Sequence, residues 1–146
     1  MITRLIKDKI FIGFFFIGFF GFLGPLINSS HKESAIPPSL HTLFLLIIFF
    51  PVLEECLFRG ILQGLLLKIP FMQKHYISIT LSNLLTSILF VVMHFFYHTP
   101  WWATLVFFPS IILGYLRERF HNLLPPIILH IWYNFIYFIF INNDYI

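Results

Sequence analysis

This sequence predicts an all-α fold, a polytopic transmembrane helical bundle of about five spans. Three observations carry the prediction. The composition is 59% hydrophobic and 21% aromatic with only 10% charged residues, and the mean hydropathy is +0.90, far outside the range of a soluble globular domain. The apolar residues gather into five segments divided by turn-forming strings. Lys and Arg collect in alternate breaks between those segments, the charge asymmetry of a membrane topology. Within 146 residues, five spans of about 20 residues each leave no room for a second domain, so residues 1–146 are expected to form one membrane-embedded domain.

The first segment runs from about Ile10 to Ile27, behind Arg4, Lys7 and Lys9. A signal peptide would look similar, but the run is long and no A-x-A-like site follows it, so a retained signal anchor is expected. Gly13, Gly18, Gly21 and Gly24 form a loose small-residue stripe in this segment, suited to close helix packing. The second segment runs from about Leu40 to Leu67, the third from Ile77 to Tyr97, the fourth from Trp101 to Leu116 and the fifth from Leu123 to Ile141. Between them lie NSSHKESAIPPS, KIPFMQKH, YHTP and RERFHN, all rich in turn residues. Pro51 is expected to kink the second helix, and Pro125 with Pro126 to start the last one.

Placing the N-terminus in the cytoplasm puts Arg4, Lys7, Lys9, Lys68, Lys74, Arg117 and Arg119 inside, against Lys32 alone outside. The positive-inside rule favours this orientation. The chain would then end outside with NNDYI, and Trp101 and Trp102 would lie at the outer interface, where indoles prefer to sit. A bacterial inner membrane is the expected location. The basic residues are scattered over loops rather than gathered on one face, so no nucleic-acid partner is expected. The single cysteine, Cys56, forms no internal disulfide and belongs to no Cys/His cluster. No cofactor and no metal are expected, and the sequence leaves the oligomeric state open.

Arg59 is the one basic residue left inside the membrane by this topology, and Glu54 and Glu55 stand just before it. An ionisable side chain at the centre of a bilayer helix costs roughly 2.5–3.5 kcal/mol on insertion scales, so this trio points to pairing or to function. Glu55 and Arg59 are four residues apart and share a helix face, while Glu54 points about 100° away. One glutamate is therefore available for chemistry. The third segment supplies His94 in FVVMH, and the fifth supplies His130 and Asn134 in HIWYN, again on one face. A glutamate and an imidazole sharing a hydrogen bond can polarise a water and take its proton, which makes Glu54 a candidate general base. An imidazole and an amide on one helix face can donate to the oxyanion that forms when water attacks a peptide carbonyl. Such hydrolysis needs no serine or cysteine nucleophile and no covalent intermediate.

The strings EECLFR, FVVMH and HIWYN resemble, in order, the three motifs EExxxR, FxxxH and HxxxN of the CPBP family, also called Abi. This is a family of glutamic intramembrane proteases that includes the type II CAAX prenyl endopeptidases. The resemblance covers roughly residues 40–137, and the joint occurrence of the motifs is specific although each alone is weak. It implies that Glu54 and His94 activate water and that His130 and Asn134 form the oxyanion site. Glu55 and Arg59 are then accessory, and Phe90 packs beside His94. The implied substrate is a membrane-anchored protein or peptide, cleaved near its anchored C-terminal region. The short chain also resembles the proteases of JDVT-CTERM-type systems, which act on bacterial proteins bearing a C-terminal tag with one transmembrane helix.

Each feature also has a plainer reading. Glu55 with Arg59 reads best as a structural ion pair. Glu54 read structurally would be a protonated side chain bonded to a carbonyl, and His94 or the His130–Asn134 pair would be polar glue between helices. His31, His41, His75, His98 and His121 fall in loops or near helix ends. Three other functions compete with a glutamic protease. A zinc protease would ligate its metal with Glu54, His94 and His130, but it would lack the preformed HExxH face. A transporter or proton relay would also place Glu, His and Arg in mid-membrane, though no internal repeat supports one. A non-catalytic bacteriocin-immunity protein is the third. At about 1.5 Å per residue, Glu54 lies roughly 20 Å below the outer end of its span while His94 lies near the outer end of its own. The two depths agree if the second helix starts late or breaks near Pro51, and if His94 anchors the site, cleavage falls in the outer half of the bilayer.

Overall fold

The computed structural model describes residues 2–28, 39–97 and 99–138. His31, Lys32, His98 and the C-terminal NNDYI lie outside the described residues. The described chain is mostly helical, in two compact units, Met1–Leu53 with Ile127–Ile146 and Glu54–Pro126.

In the first unit a short helix, Ile2–Leu5, precedes the helix Lys9–Asn28. Asp8 begins the longer one, its carboxylate accepting from the amides of Ile10 and Phe11, each at 3.0 Å, as an N-cap should. The helix Leu124–Ile136 carries Pro125 and Pro126 in its first turn, as their missing amides allow. It is fastened to Lys9–Asn28 by two side-chain donors. Trp132 Nε1 donates to the carbonyl of Phe15 and Tyr133 Oη to that of Phe14, both at 3.1 Å. The Trp132 indole also stacks on the Phe15 ring, with centroids 4.3 Å apart. Gly18 allows this approach, because a Cβ there would collide with the Tyr133 ring.

The helix Leu40–Leu66 is continuous over 27 residues and starts at Ser39, whose hydroxyl accepts from the Thr42 amide at 3.1 Å. Its hydrogen-bond register alternates: α over Leu40–Phe44, π over Leu45–Phe49, α over Phe50–Glu55, π over Cys56–Leu62, and α over Gln63–Leu66. The helix is not broken at Pro51. The π turn Leu45–Phe49 ends two residues before that proline, which has no amide to bond within the helix. Among the described residues this is the helix long and apolar enough to cross a membrane, while Leu81–His94 and Leu124–Ile136 are shorter apolar helices.

In the second unit the expected third and fourth segments are redrawn. The chain from Ile77 to Thr80 is not helical. His75–Tyr76 and Ile79–Thr80 form a small antiparallel hairpin, and the helix starts at Leu81 and ends at His94. Thr80 sets this start by accepting from the Asn83 amide at 2.9 Å. The fourth segment is two helices, Pro100–Leu105 and Phe107–Phe120. The interruption falls where Pro109 has no N–H to offer the carbonyl four residues earlier. The second of these helices runs through Arg117, Glu118 and Arg119, which the sequence reading assigned to a loop, and it ends at His121 in a left-handed conformation, φ 50°.

This unit buries many polar side chains and exposes many apolar ones. Leu81–His94 buries Ser82, Asn83, Thr86, Ser87 and Phe90. Asn83 Nδ2 donates to the Ile111 carbonyl at 3.0 Å, and Ser87 Oγ donates to Asn83 Oδ1 at 3.2 Å. Gln63 Nε2 donates to the Gly114 carbonyl at 3.1 Å and to Glu118 Oε1 at 2.7 Å, where Thr80 Oγ1 also donates at 2.6 Å. Along the helix Leu40–Leu66, Leu53, Leu57, Ile61 and Leu65 meanwhile form an exposed stripe at four-residue spacing. That arrangement suits a lipid solvent, in which apolar surface needs no cover and polar groups must find partners within the protein.

The packing gives a direct prediction. A Cβ on Gly114 would collide with the Asn83 carboxamide, whereas one on Gly64 would meet nothing within 4 Å. Asn83 is held by Ile111 and Ser87, so it cannot swing aside without losing both bonds. Gly114→Ala should therefore destabilise the protein by about 1–3 kcal/mol, while Gly64→Ala should be neutral or stabilising by up to about 1 kcal/mol through helix propensity. Thermal unfolding of the purified protein in micelles checks both, and equal melting temperatures for the two variants would contradict this packing.

Candidate active site

Glu55 and Arg59 are both wholly buried and form an ion pair, Nη1 to Oε1, at 3.1 Å. The other end of the guanidinium is also occupied, with Nη2 donating to Ser110 Oγ at 2.8 Å and to the Ser110 carbonyl at 3.1 Å. Its face lies over the Phe90 ring, Cζ to centroid 4.6 Å, a cation–π contact. Phe90 in turn meets Phe58 edge to face at 5.0 Å and the imidazole of His94 at 4.4 Å. Glu55, Arg59, Phe90 and His94 thus form one contiguous cluster in the Glu54–Pro126 unit.

His94 is oriented by its own helix. Its Nδ1 lies 2.9 Å from the Phe90 carbonyl. A carbonyl can only accept, so in the neutral ring Nδ1 carries the proton and Nε2 keeps its lone pair. Glu54 belongs to the same unit and is half-buried, in contrast to its wholly buried neighbour Glu55. Adjacent carboxylates therefore occupy different environments, one inside the ion pair with Arg59 and one partly open.

His130 and Asn134 belong to the other unit. His130 is buried and Asn134 half-buried on Leu124–Ile136. Asn134 Nδ2 donates to the carbonyl of Leu46 at 2.9 Å. That carbonyl lies in the π turn Leu45–Phe49, where the Phe50 amide bonds to Leu45, five residues back. Continued by one residue, that register would pair Leu46 with the amide of Pro51, which has none. Asn134 takes the place of the missing donor. A carboxamide nitrogen carries two hydrogens, and this bond uses one of them.

Ser110, Gln63, Asn83 and Glu118 escaped the reading of the sequence as members of the buried polar system. For Gln63 there was a signal, since it follows Glu55 and Arg59 at the same four-residue interval. Ser110 had none, being 51 residues from the arginine it binds. Among the described residues of the Glu54–Pro126 unit, no three His, Cys, Asp or Glu side chains are grouped to hold a metal ion. A shallow cleft lined by His75, Ser78, Tyr115, Glu118, Arg119 and His121 includes no motif residue.

A family model described as type II CAAX prenyl endopeptidase Rce1-like matches residues 36–136. The chain belongs to this Rce1-like family. All three motifs, from Glu54 to Asn134, fall inside the matched residues, and the family is one of membrane-embedded proteases. An Escherichia coli protein named "Uncharacterized 24.3 kDa protein" is 31% identical over 106 residues, covering 73% of this chain and 46% of that protein. The chain thus spans about half the length of the curated relative it matches. No solved structure matches it.

Proposed function

We propose that this Rce1-like chain is an intramembrane endopeptidase that hydrolyses a peptide bond near the membrane-anchored C-terminal region of its substrates. Glu54 and His94 are the groups that activate water. The water oxygen attacks the scissile carbonyl as its proton passes to the glutamate, and the carbonyl carbon becomes tetrahedral. His130 and Asn134 donate to the oxyanion. Collapse of the intermediate breaks the C–N bond, the departing nitrogen takes the proton, and the carboxylate is regenerated. The observation that supports this reading is the difference between neighbouring glutamates: Glu55 is wholly buried in its pair with Arg59, while Glu54 is half-buried in the same unit as His94, whose Nδ1 is held on the Phe90 carbonyl.

In this reading the chain crosses an inner membrane about five times with its N-terminus in the cytoplasm, so that Lys68, Lys74, Arg117 and Arg119 face the anionic inner leaflet. The exposed stripe from Leu53 to Leu65 supports the membrane setting. The test is cleavage, in isolated membranes, of two tagged substrates: a protein with a C-terminal transmembrane tag and a prenylated CAAX peptide. His94→Ala at matched membrane abundance should lower cleavage by about 10²-fold or more, and a metal chelator should leave the wild type active. Full activity in His94→Ala would remove the histidine from the mechanism, and loss of wild-type activity on chelation would overturn the metal-free mechanism in favour of a metal enzyme.

A further inference from the structure

Directly after the membrane-length helix Leu40–Leu66, residues 67–80 fold into a tightly bonded loop that shows its apolar side chains. Several of its backbone groups are bonded within the loop or to the helix ends beside it. The amides of Lys68 and Ile69 donate to Leu65 and Leu66, Met72 to Ile69, Lys74 to Phe71, and Leu81 back to Lys74. Gln73 Nε2 adds a bond to the Leu67 carbonyl at 2.7 Å, and Thr80 ties the end of the loop to Glu118. Yet Ile69, Phe71, Tyr76 and Ile77 are all exposed. Ile77 is the extreme case: it is 102% exposed at the tip of the hairpin and has φ 61°. A β-branched residue in the left-handed region is strained, and glycine would hold the same turn without strain. Among the described residues nothing covers the Ile77 side chain to offset that strain.

The loop contains Lys68, Lys74 and His75 and no Asp or Glu. Lys74 Nζ stands 4.8 Å over the Phe71 ring, so cation and apolar surface are presented together. An aromatic and aliphatic tip flanked by lysines, with several of its backbone groups bonded, matches the polarity gradient at the surface of an anionic bilayer. We propose that residues 67–80 form an interfacial anchor, with Phe71, Tyr76 and Ile77 at the headgroup–acyl boundary and Lys68 and Lys74 on anionic headgroups. The anchor rests on the membrane reading of Leu40–Leu66. By seating the end of that helix, it sets the depth of Glu54.

Spin-label depth measurement tests this in vesicles of phosphatidylethanolamine and phosphatidylglycerol. Cys56 is exposed, so labels are placed singly at Ile77→Cys and Ile61→Cys in a Cys56→Ser background. Both labels are expected to be more accessible to oxygen than to a water-soluble nickel chelate, several-fold more so than a label in solution, with residue 77 shallower than residue 61. In phosphatidylcholine vesicles residue 77 should move towards water. A lipid-facing label at 61 with a nickel-accessible label at 77 would overturn the anchor and leave the membrane reading standing. A label at 77 shielded from both reagents would overturn it in favour of a protein partner such as a second copy. A nickel-accessible label at 61 would overturn the membrane reading and the anchor together, and an unchanged depth in phosphatidylcholine would remove the lysines from it.

Discussion

Glu54→Gln is expected to leave the protein folded and to lower peptide hydrolysis by about 10²-fold to 10⁴-fold, the usual contribution of a positioned general base. The substitution is nearly isosteric and Glu54 is only half-buried, so packing should survive it. Glu55→Gln, one residue on, should behave differently. It removes the charge that balances the wholly buried Arg59, and the expected result is a large loss of stability before any question of catalysis arises. Measuring melting temperature and turnover side by side for both variants separates the two roles. A Glu54→Gln enzyme with normal turnover would sink the proposed mechanism, and a Glu55→Gln protein with a normal melting temperature would contradict the buried pair.

Arg59→Met should cost about 3–5 kcal/mol, the range for breaking one partner out of a buried ion pair. Three interactions go at once. Glu55 keeps a buried carboxylate without its cation, Ser110 loses donors to its hydroxyl and carbonyl, and Phe90 loses the guanidinium over its ring. Removing the glutamate as well should reverse much of the damage, because two buried charges are replaced by apolar surface. The double variant Glu55→Leu/Arg59→Met is accordingly expected to be more stable than Arg59→Met alone. Equilibrium unfolding in micelles, read as a double-mutant cycle, gives the coupling. Additive single effects would show that the pair contributes nothing beyond its separate parts. Stability and activity need not return together, since Arg59 also packs against the Phe90 ring that lies beside His94.

The local pairings within the motifs were legible because they are arranged by helical geometry. Glu55 and Arg59, His130 and Asn134, and Phe90 and His94 are each four residues apart, and that spacing alone places each pair on one face. The errors came where local pattern is ambiguous or silent. The string ISIT before Leu81 reads equally well as helix or strand, since a short apolar run does not distinguish them. Its second half, Ile79–Thr80, is a hairpin strand because His75 and Tyr76 are there to pair with it, and Ile77 with Ser78 makes the turn. The charged run RER looked like a loop. It is helical, with Glu118 receiving hydrogen bonds from Gln63 and Thr80.

The covalent order of residues determined the apolar character of the chain, the helices bearing the three motifs, and the separation of Glu54 from Glu55 by a turn of about 100° around their helix. These follow from composition and from a helical period that acts over a few residues. Packing decided the rest. It joined Arg59 to Ser110 across 51 positions and set Asn134 on the Leu46 carbonyl across 88. Both partners are ordinary residues in sequence, and neither advertises its role. In a low-dielectric interior every polar group must find a partner, but which partner depends on which helices meet.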